Sequence, residues 1–481
     1  MELNEQELTQ LVLRVLDQMQ QEPGPKDTGV GGVFSRLDDA VGAAAFAQEQ
    51  LSTLSRERRG ELISSMRQAA LRDAALLAEM AVRETGMGRV QDKVAEHRLV
   101  ATKTPGIEDL ETGAWSGDHG LTTVEMAPFG VIGAITPVTN PAATIINNAI
   151  GMIAAGNAVV FSPHPSAKVT SLRAVEILNQ AIVEAGGPAN LLTSVADPNI
   201  EFAEALMHHP RISLVVATGG PGVVRAALSS GKKAIGAGAG NPPAVVDDTC
   251  DLSKAGRDLV LGAGLDNNLP CIAEKVIVVV DQVADGLMAA MEQNGGWRLA
   301  GADADTVTDR ILTDKEGQGA RGCSGREQVM KRLAVDKRYV GKTANFILRE
   351  AGVRVAGDPR IAFLEVGREH PLVWLEQMLP VIPVVRVPDV QEAIRFGVEV
   401  EQGRRHTATM WSRNVDHMTQ LARAIKSTIF VKNGPSYAGI GLGGEGFTSF
   451  TIAGPTGEGI TSARTFTRRR RCTLVDAFSI V

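Results

Sequence analysis

From about Val124 onward, short β-rich runs alternate with helical stretches, and this alternation constrains the chain more than any other feature. The runs are Gly130–Ile135, Ala158–Phe161, Leu191–Val195, Ser213–Ala217, Ala244–Val246 and Val276–Val280; among them lie Pro141–Ala155, Ser166–Ala185 and Ile200–His208, whose apolar spacing is helical. A strand that leads into a helix cannot pair as a hairpin; it crosses over and returns as a parallel neighbour. The expected class is therefore α/β, with a parallel sheet made of βαβ units. Upstream, residues from about Ser35 to Arg98 are rich in Ala, Leu, Arg and Glu at helical spacing, consistent with consecutive helices ending in Glu84-Thr-Gly-Met-Gly88.

A chain of 481 residues has room for about three domain-sized units, each with its own core. With 44% hydrophobic and 22% charged residues it is neither disordered nor fibrous. Apolar runs such as Val276–Val280 stop far short of the ~20 residues that cross a bilayer, so no membrane span is expected. A formal net charge of −6 argues against nucleic acid and anionic membranes as partners and favours small molecules.

The first twenty residues carry Leu8, Leu11, Val12, Val15, Leu16 and Met19 on one helical face. They lack the basic start, continuous apolar core and cleavage site of a secretion signal. A Pro- and Gly-rich stretch over 21–32 reads as a linker. Between about Asn294 and Asn345 the pattern is weak and polar, which reads as a surface excursion without chemistry. Thr465–Val481 reads as extended, with Arg468–Arg471 in a paired or solvated strand.

Four cysteines, Cys250, Cys271, Cys323 and Cys472, are scattered without CxxC spacing, so reduced cytoplasmic thiols are expected, and neither disulfides nor a metal site. Gly236-Ala-Gly-Ala-Gly240 follows a β-like run but lacks dinucleotide-fingerprint spacing, and Asn241-Pro242-Pro243 stands where that fingerprint needs a helix. Cys271 sits in the polar frame Asp266-Asn-Asn-Leu-Pro-Cys-Ile-Ala-Glu-Lys275 rather than in an apolar run, which makes it the informative thiol.

Around it stand, in order, Thr136-Pro-Val-Thr-Asn-Pro141, Pro163-His-Pro165, Thr218-Gly-Gly-Pro-Gly222, Glu376-Gln-Met-Leu-Pro-Val381, Phe430-Val-Lys-Asn433 and Gly441-Leu-Gly-Gly-Glu-Gly446. From about residue 33 to the end, the chain resembles the aldehyde dehydrogenase superfamily, and within it the CoA-acylating propionaldehyde and acetaldehyde dehydrogenases of bacterial microcompartments. The resemblance implies a Rossmann-type cofactor domain, an α/β catalytic domain and a small β oligomerisation arm. It implies that Cys271 is the nucleophile and that Asn140, with the Cys271 backbone N–H, donates to the oxyanion of the thiohemiacetal. It further places Thr136, Pro137, Ser162, His164, Thr218, Gly219 and Glu376 at the nicotinamide cofactor, with Glu376 on the nicotinamide ribose. His406, in Arg404-Arg-His-Thr407, matches a histidine of the acylating branch and is a candidate for CoA or catalytic support.

Hydrolytic members of that superfamily carry a glutamate in the loop that here reads Gly236-Ala-Gly-Ala-Gly-Asn241, without a carboxylate; the base position falls near Ala237 or Gly238. Without that base hydrolysis is slow, whereas a thiol is intrinsically a good nucleophile toward a thioester, so the acyl group is expected to go to coenzyme A. The Lys and Glu that hold the adenine ribose in many members are replaced around Ser162-Pro163-His164-Pro165. NAD is the expected cofactor, with NADP possible.

The expected organisation is a targeting helix over 1–20, a linker over 21–32, a cofactor domain over 33–108 and 128–239, a catalytic domain over 240–435, and a return segment over 436–463. An oligomerisation arm comprises 109–127 and 464–481. The resemblance implies a homodimer or homotetramer that oxidises a short-chain aldehyde inside a microcompartment of the bacterial cytoplasm, recruited by packing of 1–20 on a shell protein. The competing readings are a hydrolytic aldehyde dehydrogenase and a catalytically silent dehydrogenase-fold shell-binding protein.

Overall fold

The computed structural model describes residue 29, residues 31–316 and residues 325–481. The expected helix over 1–20, most of its linker, and Cys323 lie outside the described residues.

Two parallel sheets dominate. The first has six strands in the order Val33–Phe34, Leu192–Val195, Ala158–Pro163, Val131–Thr136, Ile212–Thr218, Ala234–Ala237. Its central strands, Val131–Thr136 and Ala158–Pro163, are buried at every position, which is why they read as continuous apolar runs rather than alternating ones. The helix Pro141–Ala154 is likewise buried all round, consistent with its Ile- and Ala-rich composition. The order of the strands reverses beside Val131–Thr136: Ala158–Pro163 lies on one side and Ile212–Thr218 on the other. In an open α/β sheet the crevice at the carboxyl ends of such strands is where ligands bind.

The second sheet has seven parallel strands in the order Gly296–Leu299, Ile361–Glu365, Val381–Val387, Val276–Val280, Pro243–Val246, Thr407–Trp411, Ile429–Lys432. A short Gly-rich loop after Ala234–Ala237 carries the chain from the edge of the first sheet to Pro243–Val246, within the second. A third, antiparallel sheet joins Gly113–Gly117, Gly120–Pro128 and Thr467–Val475, with Arg471 opposite Val124 and the arginine run exposed.

One expectation is overturned. The stretch from Asn294 to Asn345 is not a surface excursion: Gly296–Leu299 is an edge strand of the seven-stranded sheet, and Ala302–Ile311 is a helix. An antiparallel pair follows, Leu312–Asp314 with Leu333–Val335. Leu299, Val307, Ile311, Val329, Leu333 and Tyr339 are buried in one core. Each short element contributes only one to three inward residues on an otherwise polar surface, too few for a visible period. Among the described residues, no helix is long and apolar enough to cross a membrane.

Candidate functional site

A cavity of about 500 Å³ is lined from both large sheets. On one side lie the residues that follow Val131–Thr136 and Ile212–Thr218; on the other lie the Cys271 loop, Glu376 and His406.

Asn140 sits at the start of Pro141–Ala154, where Pro141 is preset for a first helical turn. Its carbonyl accepts from the Thr144 amide at 3.0 Å and the Thr144 hydroxyl at 2.7 Å. The side chain does not cap its own helix. Its Nδ2 donates instead to Oε2 of the buried Glu96 at 2.8 Å, and Asn140 lines the cavity.

Cys271 is held by an unusual backbone. Asp266, Asn267 and Asn268 take φ of 47°, 58° and 62° in succession, the left-handed region that Asp and Asn enter more readily than most side chains. Buried hydrogen bonds hold this run. Asn267 Nδ2 donates to the Gly341 carbonyl at 2.8 Å, and Asn268 Nδ2 donates to the carbonyls of Ala263 at 2.8 Å and Glu274 at 2.9 Å. The buried Lys275 Nζ donates to the Asn268 carbonyl at 2.6 Å, to its Oδ1 at 2.7 Å and to the Pro270 carbonyl at 3.2 Å. Asp266 forms a 2.7 Å ion pair with Lys93. The polar frame before Cys271 is thus the scaffold that presents the thiol.

Burial pushes the Cys271 thiol up to about 12; the charge of Glu376 adds to this and Lys275 opposes it. In the protein alone the group is a thiol rather than a thiolate. Glu376 Oε1 accepts from the Gly240 amide at 3.1 Å. Gly240 has room for no side chain, since a Cβ there would stand 2.5 Å from the Cys271 carbonyl oxygen and 3.1 Å from His406 Cγ. His406 is buried, Nδ1 bonded to Thr407 Oγ1 at 2.9 Å, and burial lowers it to about 4, so the ring is neutral.

Ala237, Gly238 and Ala239 line the cavity without a carboxylate. Of the two carboxyl groups that do line it, Glu96 is bonded to Asn140 and Glu376 to Gly240.

Elsewhere on the cavity wall, Thr218 Oγ1 bonds Thr451 Oγ1 at 2.9 Å and the Gly219 amide donates to the Ala237 carbonyl at 3.0 Å. The helix Pro221–Leu228 begins at Gly220 with no side-chain cap, and Gly220 and Gly222 have open space where a Cβ would stand. Uncapped amides at a helix start, reached over bare glycines, suit a pyrophosphate. His164 lines the cavity with Nδ1 accepting from the Ser166 amide at 3.1 Å; burial first and the nearby Lys337 second lower its pKa.

The structure therefore gathers Cys271, Asn140, His406, Pro137, His164, Thr218, Gly219 and Glu376 around one cavity. Thr136 and Ser162 do not line it; both are buried at the ends of their strands. Sequence reading missed Glu96 and Lys337, which do line it, and the buried Lys93 and Asp266 behind it. A signal existed for two of them. In the helix Val90–Lys103 the buried positions Lys93, Glu96, His97 and Val100 follow the i, i+3, i+4, i+7 stripe of a core face, with charge where apolar residues belong.

Two parallel sheets meeting over a cysteine, an amide donor and an open helix start define an aldehyde dehydrogenase site, and the chain, which matches the aldehyde dehydrogenase family over residues 34–308, belongs to that family. It is 50% identical to the acetaldehyde dehydrogenase (acetylating) EutE of Salmonella typhimurium over 100% of both chains. It is 45% identical to the propanal dehydrogenase (CoA-propanoylating) of the same organism, covering 99% of this chain and 100% of that one. A crystal structure of Rhodopseudomonas palustris propionaldehyde dehydrogenase, with bound CoA and an acylated cysteine, is 49% identical with a TM-score of 0.89, covering 94% of this chain and 100% of that one.

Proposed function

We propose that this protein is a CoA-acylating aldehyde dehydrogenase that converts a short-chain aldehyde, propionaldehyde or acetaldehyde, with NAD and CoA to acyl-CoA and NADH. The observation that carries this is the carboxylate-free Ala237–Ala239 wall beside Cys271: both cavity carboxyl groups are engaged, and neither stands in that loop. The relatives named above bear acylating activities in their names, and the Rhodopseudomonas enzyme was captured with CoA.

Cys271 Sγ, its proton having passed to solvent, attacks the carbonyl carbon as the thiolate, and charge develops on the former carbonyl oxygen. Asn140, with one N–H spent on Glu96, has its second N–H for that oxygen, joined by the Cys271 amide. Lys275 is the buried cation that favours the thiolate. NAD, when bound, accepts the hydride that leaves the former carbonyl carbon. The thioester on Cys271 then passes its acyl group to the sulfur of CoA, and Cys271 leaves as thiolate. His406, neutral beside Gly240, is the candidate to take the proton of the incoming thiol. Gly220, Gly222 and the uncapped turn at Pro221 receive the pyrophosphate, Glu376 the nicotinamide ribose; without the Lys and Glu around Ser162–Pro165, NAD is preferred to NADP.

The three-stranded sheet with exposed Trp115, Leu474 and Val475, followed by exposed Phe478 and Ile480, is the oligomerisation arm of a homodimer or homotetramer. The segment over 1–20 recruits the enzyme to the shell of a microcompartment in the bacterial cytoplasm. A panel of C2–C6 aldehydes, assayed for NADH with and without CoA, tests the activity: short aldehydes with CoA are expected to dominate, and equal rates without CoA would refute it.

A further inference from the structure

We infer that Glu96 is a positioning residue for aldehyde oxidation, fixing through Asn140 which end of that side-chain amide faces the thiol. The inference rests on the reading of Asn140 as oxyanion donor given above.

The helix Val90–Lys103 turns Lys93 and Glu96 into the protein interior, where charged groups persist only when paired. Lys93 Nζ donates to the Thr139 carbonyl at 2.8 Å and to Asp266 at 2.7 Å. One lysine thus ties the residue before Asn140 to the start of the Cys271 loop. One helical turn on, Glu96 Oε2 accepts from Asn140 Nδ2 at 2.8 Å. The same helix face therefore sets the amide and the thiol in a common frame.

The two ends of an asparagine amide have nearly the same shape and opposite chemistry, so only its partners decide its orientation. An acceptor oxygen in Glu96 holds the nitrogen end in place. Turning the amide over would set Oδ1 against Oε2 of Glu96 and leave an acceptor where the oxyanion develops. Glu96 also lines the cavity, and its Oε1 is buried without a hydrogen-bond partner. Burial and the neighbouring Asp266 push the Glu96 carboxyl up to about 8, against Lys93 and Asn140. A neutral carboxyl with its proton on Oε1 keeps Oε2 as the acceptor, so the orientation holds in either state.

The test is a double-mutant cycle on full-length enzyme, reading the rate of the NADH burst with CoA omitted and, separately, NAD affinity. Glu96→Ala and Glu96→Asp, the latter keeping the charge but withdrawing the acceptor by one methylene, should each slow the burst about 100-fold. NAD affinity should stay within about twofold, and Glu96→Gln, whose Oε1 can accept the same N–H, should recover to within about fivefold of wild type. In an Asn140→Ala background the Glu96 variants should cost less than about threefold more, because their target is gone. A loss of undiminished size in that background, or a Glu96→Asp burst close to wild type, overturns the inference while leaving Asn140 as oxyanion donor. A near-wild-type burst for Asn140→Ala alone overturns that reading and this inference with it. Should Glu96→Ala fail to fold, Glu96→Asp carries the same arms.

Discussion

Behind Cys271, Lys275, Asn267 and Asn268 interlock through buried hydrogen bonds and three consecutive left-handed residues, whereas across the cavity the turn at Thr218–Gly222 presents bare glycines with open space above Gly220 and Gly222. On the proposed mechanism charge develops beside the thiol, and donors arranged before reaction cost no reorganisation as the oxyanion forms. On the proposed function the turn at Thr218–Gly222 receives a nucleotide pyrophosphate, which suits backbone amides and open space. A single cavity thus combines a densely hydrogen-bonded loop behind the thiol with an open turn at Gly220.

Cys271→Ala should abolish turnover while leaving NAD affinity and melting temperature near wild type, since none of the nucleotide-wall groups changes; equal loss on replacing Cys250 or Cys472 would contradict the assignment. Asn140→Ala should lower turnover by about 10²–10³ through loss of one oxyanion donor, measured at saturating aldehyde and CoA.

A third outcome concerns pH. The thiolate is the species that reacts with iodoacetamide, and the Cys271 thiol is raised to about 12. With NAD absent, the rate of Cys271 alkylation should therefore keep rising about tenfold per pH unit from pH 7 to 10 without a plateau. A plateau below pH 9 would show a thiol lowered by its surroundings instead.

The smallest effects compare the walls directly. Gly240→Ala drives a methyl against the Cys271 carbonyl and the His406 ring, and should destabilise the protein by about 1–3 kcal/mol and impair acylation. Gly222→Ala, with open space and a helical position, should be neutral or stabilise by up to about 1 kcal/mol. Thermal unfolding of the two variants separates a crowded wall from an open one.

The sequence carried the parts of this arrangement that repeat or stand in runs. Val276–Val280 and Ile200–His208 have the boundaries expected of them, and Val131–Thr136 is displaced by one residue, because fully buried strands and amphipathic helices announce themselves by composition and period. Cys271, Asn140 and Glu376 were legible through motif resemblance. The charged layer behind them was not. Lys93 and Glu96 stand on the buried stripe of their helix, but their partners Asp266 and Asn140 lie far away in sequence, so their pairing exists only once the fold brings them together. Thr136 and Ser162 belong to the same motifs but are buried near the ends of their strands and do not line the cavity.

On the proposed function the acyl group leaves Cys271 for a thiol because the Ala237–Ala239 loop holds no carboxylate to activate water. This route is tested most directly by rapid-mixing absorbance of NADH with propionaldehyde and NAD, with and without CoA, and product analysis of each arm. Without CoA, NADH should rise in a burst of about one equivalent per active site and then nearly stop; with CoA it should continue, and propionyl-CoA should accumulate in step. Sustained NADH formation without CoA at a comparable rate, with propionate as product, would contradict the account.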